Sequence, residues 1–153
     1  MYISRCEHGI IKRMDKINLY EGACGCGEIT FEVKAQKPSW CGHCHCNQCQ
    51  KIPGAPYVTW VGFHADSYAI KDPKEYFKVY KSSVADRGFC SNCGSNFYFR
   101  YHDKKHKFYR KDAVLFARPN IDTDLKIEPL EHIYYVSKKD WYPVDDDLSK
   151  RLD

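Results

Sequence analysis

The chain has 153 residues, 43% of them hydrophobic and 29% charged, a size and balance that suit one soluble globular domain. No apolar run approaches the roughly 20 residues that a membrane-crossing helix needs, and the N-terminal charges Arg5, Glu7, His8, Lys12, Arg13 and Lys16 interrupt any signal-peptide core. The 24 basic and 20 acidic residues leave a net charge of +4 that is scattered along the chain, which argues against the concentrated basic face of a nucleic-acid binder.

Residues 1–16 show no hydrophobic period and are expected to form a flexible extension; Cys6 lies there, apart from the other cysteines, and is assigned no role. A single domain is expected over 17–153. It contains 12 Tyr, 8 Phe and 3 Trp, and aromatic residues favour pleated, half-buried surfaces, so the expectation is mainly β. Strands are predicted over Ile17 to Gly22 and Ile29 to Val33, where apolar and polar residues partly alternate. Between them, Cys24-Gly25-Cys26-Gly27 has the form of one arm of a metal knuckle, with glycine free to adopt a positive φ.

Next comes the densest stretch, Trp40 to Gln50, with Cys41, Cys44, Cys46 and Cys49 inside nine positions and His43 and His45 among them. A bridge between Cys44 and Cys46 would be strained by disulfide geometry, whereas thiolates around one soft ion meet no such restriction. Nine cysteines without an export signal fit a reducing, cytoplasmic compartment and metal-held thiols. Lys51 to Pro56 carries two prolines and a glycine and is expected to be a rigid loop rather than a helix.

Further strands are predicted over Tyr57 to Phe63, Tyr76 to Tyr80, Asn96 to Tyr101, Ala113 to Ala117 and His132 to Val136. Arg87 to Gly94 encloses Cys90-Ser91-Asn92-Cys93-Gly94, a zinc-knuckle pattern. The basic 102–112 stretch is expected to be a solvated loop, Pro119 to Pro129 a connection, and Trp141 to Leu148 an acidic tail. There is no long amphipathic helix, no repeat and no linker.

A structural zinc takes four protein ligands; a catalytic zinc takes three and keeps one position open. Cys24 and Cys26 with Cys90 and Cys93 would complete one tetrahedron, tying together segments more than sixty residues apart, unless the two pairs serve separate centres. Cys44, Cys46 and Cys49 would leave a vacancy on a second metal. Cys41, His43 or His45 could close it, and spacing alone leaves open and closed arrangements both standing.

The ordered set Gly22-Ala23-Cys24-Gly25-Cys26-Gly27, Cys44-His45-Cys46-Asn47-Gln48-Cys49, Gly54-Ala55-Pro56, Arg87 to Ser95, His132-Ile133 and Ser137 to Trp141 resembles the glutathione-dependent formaldehyde-activating enzyme family, whose relatives include centromere protein V. The resemblance spans roughly 18–148. It implies a mainly β, Mss4-like single domain of zinc-stabilised antiparallel sheets. It implies two zinc ions per chain: a structural one on Cys24, Cys26, Cys90 and Cys93, and a catalytic one on Cys44, Cys46 and Cys49. It further implies a carbon–sulfur lyase that handles adducts of a small, glutathione-like thiol with formaldehyde or a similar small carbonyl compound; the diffuse charge and the lack of a long apolar run give no expectation of nucleic-acid or membrane partners. Cys41 is not among the family's seven cysteines. Lys51 and Arg87 are candidate partners for a peptide-like carboxylate, and the Pro53–Pro56 loop a candidate pocket wall. The alternative is a non-catalytic protein-interaction module with a closed four-cysteine second site.

Overall fold

The computed structural model describes residues 16–64 and 67–153. The expected N-terminal extension, with Cys6, therefore lies outside the described residues except for Lys16. The rest is mainly β and forms a single domain of antiparallel and mixed sheets.

Strands β1 (Asn18–Ala23) and β2 (Thr30–Ala35) pair antiparallel with Tyr20 opposite Val33 and Gly22 opposite Phe31. Alternation sends Tyr20, Phe31 and Val33 inwards and Glu21 and Lys34 outwards. Gly22 is required by close approach, since a Cβ there would lie 2.2 Å from the Asn120 carbonyl oxygen and 2.3 Å from the Phe31 ring. A later strand, β5 (Tyr68–Lys71), joins β2 to complete a three-stranded sheet.

The larger sheet has eight strands. These are β3 (Trp40–Cys44), β4 (Val58–His64), β6 (Phe77–Lys81), β7 (Ala85–Cys90), β8 (Asn96–Tyr101), β9 (Ala113–Ala117), β10 (Glu131–Ile133) and β11 (Ser149–Lys150), in the order β11-β10-β3-β4-β9-β8-β7-β6. All neighbours are antiparallel except β10, which runs parallel to both β3 and β11. Among the described residues helix is scarce: one five-residue helix, α1 (Asn47–Lys51), and short 3-10 turns at Arg118–Asn120 and Tyr135–Ser137. Among the described residues no helix is long and apolar enough to cross a membrane.

Strand parity divides the large sheet into two faces. From β4 and β9, Val61, Phe63, Val114 and Phe116 enter a core shared with the small sheet, where Phe31 stacks on Phe116 at 4.2 Å and on Phe97 at 5.8 Å between ring centroids. Trp60, Leu115 and Ala117 point the other way, into a second cluster with Phe99, Ala85 and Ile133 that surrounds Cys44 and Cys49. This second face carries the candidate site.

The strands predicted over Asn96 to Tyr101 and Ala113 to Ala117 match the observed bounds, and the other predicted strands are found shifted or shortened at their ends. β3, β5, β7 and β11 were not expected as strands. The presumed acidic tail is not free: Asp146 bonds to His132, and β11 beyond it pairs with β10.

Candidate metal centres and pocket

Two turns carry the first cysteine group. Cys24 begins a turn closed by the Gly27 amide donating to the Cys24 carbonyl at 3.0 Å; Cys90 begins another, closed by the Gly94 amide on the Cys90 carbonyl at 2.8 Å. Gly27 and Gly94 both have φ of +76°, with open space where a Cβ would sit, so it is the left-handed backbone and not crowding that calls for glycine. Asn120 ties the two turns together, donating to the Ala23 carbonyl at 2.9 Å and to Ser95 Oγ at 3.0 Å.

The Sγ atoms of Cys24, Cys26, Cys90 and Cys93 all lie within 4.8 Å of one another. Cys24 to Cys26 is 3.5 Å and Cys26 to Cys90 is 3.9 Å. A tetrahedral zinc with Zn–S bonds of about 2.3 Å sets sulfurs about 3.8 Å apart, so this donor set fits one ion. Donors already face the sulfurs: Asn92 Nδ2 reaches Cys26 at 3.4 Å and the Ile29 amide reaches Cys24 at 3.4 Å. The Asn92 hydrogen bond, aided by the backbone at Glu28, holds the Cys26 thiol down at about 6.

The second group sits where β3 gives way to α1. Cys44 ends the strand, Cys46 is the N-cap residue of the helix, and Cys49 lies one turn into it. The Cys46 sulfur accepts the Cys49 amide at 3.4 Å, filling the role an oxygen usually plays at a helix start. The three sulfurs again fall within 4.8 Å of one another. Packed so closely, they cannot all ionise without a cation. Hydrogen bonds to Cys46 and Cys49, with burial, drive Cys44 well up, while the same contacts with Cys44 and Cys49 drive Cys46 down.

The residues that could have closed this trio are engaged elsewhere. Cys41, three positions before Cys44, points to the opposite face of β3, fully buried in the first core, with Arg118 Nη1 3.6 Å from its sulfur; burial pushes its thiol up. His43 Nδ1 meets Thr59 Oγ1 at 2.8 Å. His45 is wholly buried and turned towards β10, with Nε2 2.8 Å from His132 Nδ1, and His132 Nε2 in turn lies 3.0 Å from both oxygens of Asp146. With Asp146 ionised, His132 donates to it and accepts from His45, which leaves His45 Nδ1 as a buried acceptor without a partner. Burial holds His45 at about 4, so it stays neutral. This chain of side chains, together with Gln50 Nε2 on the carbonyls of His45 and Ser137, fixes the loop between Cys44 and Cys46 against β10.

Above the trio lies a cavity of about 210 Å³ with the three cysteines in its lining and walls that include Trp40, Trp60, Phe99, Tyr101, Ile133 and Tyr134. Among the described residues one cation, Arg87, lines it. Arg87 is 3% exposed, with Nη1 3.7 Å from Cys49 Sγ, its guanidinium 4.7 Å from the Phe99 ring centroid and Nε without a partner. Trp60 Nε1 adds a second donor to Cys49 at 3.5 Å. Arg87 is therefore a buried neighbour of the sulfurs, whereas Lys51 is exposed at the end of α1.

The Pro53–Pro56 loop does not wall this cavity. Pro53 and Ala55 line a different one, beside Cys93 and Gly94, because α1 turns the chain away from the trio before the loop begins. Sequence reasoning missed the aromatic walls, the burial of Arg87 and the His45–His132–Asp146 chain. The strand aromatics carried a signal for walls; Asp146, one of three consecutive aspartates, carried none.

A family model described as glutathione-dependent formaldehyde-activating enzyme matches residues 19–137. A curated Schizosaccharomyces pombe protein named an uncharacterized lyase is 28% identical over 108 residues, covering 71% of this chain and 77% of that one. The crystal structure of a Rhodobacter sphaeroides protein aligns with a TM-score of 0.52 at 15% identity, over 71% of this chain and 91% of that one, a likeness of fold alone. Asp146 and β11 lie beyond the segment that the family model matches.

Proposed function

This chain belongs to the glutathione-dependent formaldehyde-activating enzyme family, and from that premise we propose that it is a zinc-dependent carbon–sulfur lyase-like enzyme. It forms and cleaves adducts of a small thiol of the glutathione kind with formaldehyde or a similar small carbonyl compound. Cys24, Cys26, Cys90 and Cys93 would hold a structural zinc; Cys44, Cys46 and Cys49 would hold a second one with a position left for the substrate sulfur. A zinc bound by three thiolates would lower the pKa of an incoming thiol and hold its sulfur beside the carbonyl carbon.

The chain's own residues support that chemistry. Arg87 and the Trp60 indole both donate towards Cys49, spreading its negative charge and making room for one more sulfur anion in the cluster. The aromatic walls keep water from the reacting carbon, where hydration of the aldehyde would compete with thiol addition. The buried histidine chain fixes the backbone between Cys44 and Cys46.

The single observation that carries the reading is the convergence of Cys44, Cys46 and Cys49, without Cys41, at the foot of an apolar cavity. The interaction-module alternative needs Cys41 as a fourth ligand, and Cys41 faces the other core. The test is Cys46→Ser, read by metal content and by nuclear magnetic resonance exchange between glutathione and formaldehyde. Loss of about one metal ion together with loss of accelerated exchange is expected; unchanged exchange sinks the mechanism.

A further inference from the structure

The cavity over the three sulfurs calls for an apolar occupant, and neither reactant in the family's description supplies one. Formaldehyde carries only two hydrogens on its carbon. Glutathione carries two carboxylates and an ammonium group. Trp40, Trp60, Phe99, Leu115 and Ile133 line the space with the rings of Tyr101 and Tyr134, and the Tyr134 hydroxyl meets His106 Nε2 at 3.2 Å. Among the described residues the charged side chain in the lining is Arg87, which is buried, lies over the Phe99 ring and directs Nη1 at the Cys49 sulfur, with Nε unpartnered. A charged peptide buried against these walls would lose its hydration with little in return. Besides the sulfurs, Arg87 and the tyrosine hydroxyls, the polar lining is Asn47, exposed, and Gln48, half-buried, and a peptide-like thiol would keep its charged ends at these two accessible amides. Its sulfur can then reach the cysteine trio only with the carbon it bonds directed into the apolar space.

The geometry points to an aldehyde larger than formaldehyde: the substrate is the hemithioacetal of a glutathione-like thiol with an aldehyde that carries an apolar, ring-sized group. An apolar cavity of about 150 Å³ is known to take benzene, so the 210 Å³ here suits a phenyl group. The reaction is an addition. The thiol gives up its proton, sulfur forms a bond to the aldehyde carbon, the carbonyl π pair moves to oxygen, and that oxygen takes up a proton; cleavage runs in reverse, with no oxidant or reductant. This inference rests on the lyase reading above and names its substrate class.

The test compares S-methylglutathione with S-benzylglutathione, two thioethers that bind without reacting. Binding to the zinc-loaded full chain is read by calorimetry. The benzyl compound is expected to bind about 10- to 100-fold tighter, the scale for burying one aromatic group. Val84→Trp, in the half-buried turn before β7, and Leu115→Trp, from another wall, should each cut that preference to about threefold or less. Equal affinities, or a preference that neither variant changes, overturn the inference. Exchange kinetics keep the two readings apart. Faster exchange per unit KM with benzaldehyde than with formaldehyde supports the substrate class. Faster exchange with formaldehyde overturns it and leaves the lyase standing, and no acceleration with either aldehyde overturns both.

Discussion

Gly42 couples the backbone of β3 to the wall of the cavity, and its replacement by alanine makes a quantitative test of the site's geometry. A Cβ on Gly42 would stand 2.4 Å from Trp40 Cζ2, 2.8 Å from Cη2 and 3.0 Å from the Glu131 carbonyl oxygen. The indole has to move, and its Nε1 then leaves Glu131 Oε1, now 2.9 Å away. Overpacking of this kind costs about 1–3 kcal/mol. The lost hydrogen bond to a carboxylate adds about 1.5 kcal/mol, because Arg151 still pairs with Glu131 and limits the damage. The restricted unfolded chain returns about 0.5 kcal/mol. The net is a loss of about 2–4 kcal/mol, or roughly 10 °C in Tm for a domain of this size. Thermal and urea melts of Gly42→Ala, Trp40→Phe and the double variant form a cycle. With the second ring of the indole gone, Gly42→Ala should cost no more than about 1 kcal/mol. If the alanine costs the same on both backgrounds, within about 0.5 kcal/mol, the clash with Trp40 is not the cause and the account of this wall fails.

Three further outcomes are expected. Cys41→Ala should keep the full metal complement of the wild type, measured by colorimetric metal release; loss of an ion would return Cys41 to the second centre. Cys90→Ser should release about one ion and lower stability more than Cys46→Ser does, because its cluster ties the start of the domain to its middle; melting of both variants alongside metal content decides this. Phe31→Ala should cost about 3–5 kcal/mol in a urea titration, since the ring is 1% exposed and stacks with both Phe97 and Phe116; a cost under about 1 kcal/mol would mean the two sheets do not share this core.

The parts of the fold that were legible in the sequence are those where one residue pattern has one physical use. Asn96 to Tyr101 and Ala113 to Ala117 are rich in aromatic or apolar residues and bounded by turn-formers, so their limits could be read. β3 could not, because Trp-Cys-Gly-His-Cys shows no hydrophobic alternation. It is a strand because β4 and β10 supply its hydrogen bonds on either side. The status of Cys41 was undecidable for the same reason: once β3 is known as a strand, parity sends Cys41 and Cys44 to opposite faces. The cysteine groups were legible because little else brings thiols so close in sequence. His132 and Asp146 were not legible as a pair. They are fourteen residues apart, and what unites them is the return of the chain through β11. The Pro53–Pro56 loop misled because adjacency along the chain was taken for adjacency in space, and one turn of helix undid it.

β7 takes part in both cysteine groups. Arg87 leans on the Cys49 sulfur from one face, and three residues later, about 10 Å along an extended strand, Cys90 joins the other four-sulfur set. Between these points β7 pairs with β6 on one side and with β8 on the other, where the register shifts between Gly88 and Phe89. The two cysteine groups therefore share a strand. If each group holds an ion, withdrawing the one at the far end should free Cys90, let that end of β7 drift, and shift Arg87, the cation that faces Cys49 among the described residues. Chelator titrations should not resolve into two independent affinities: whichever ion leaves first changes the hold on the one that remains.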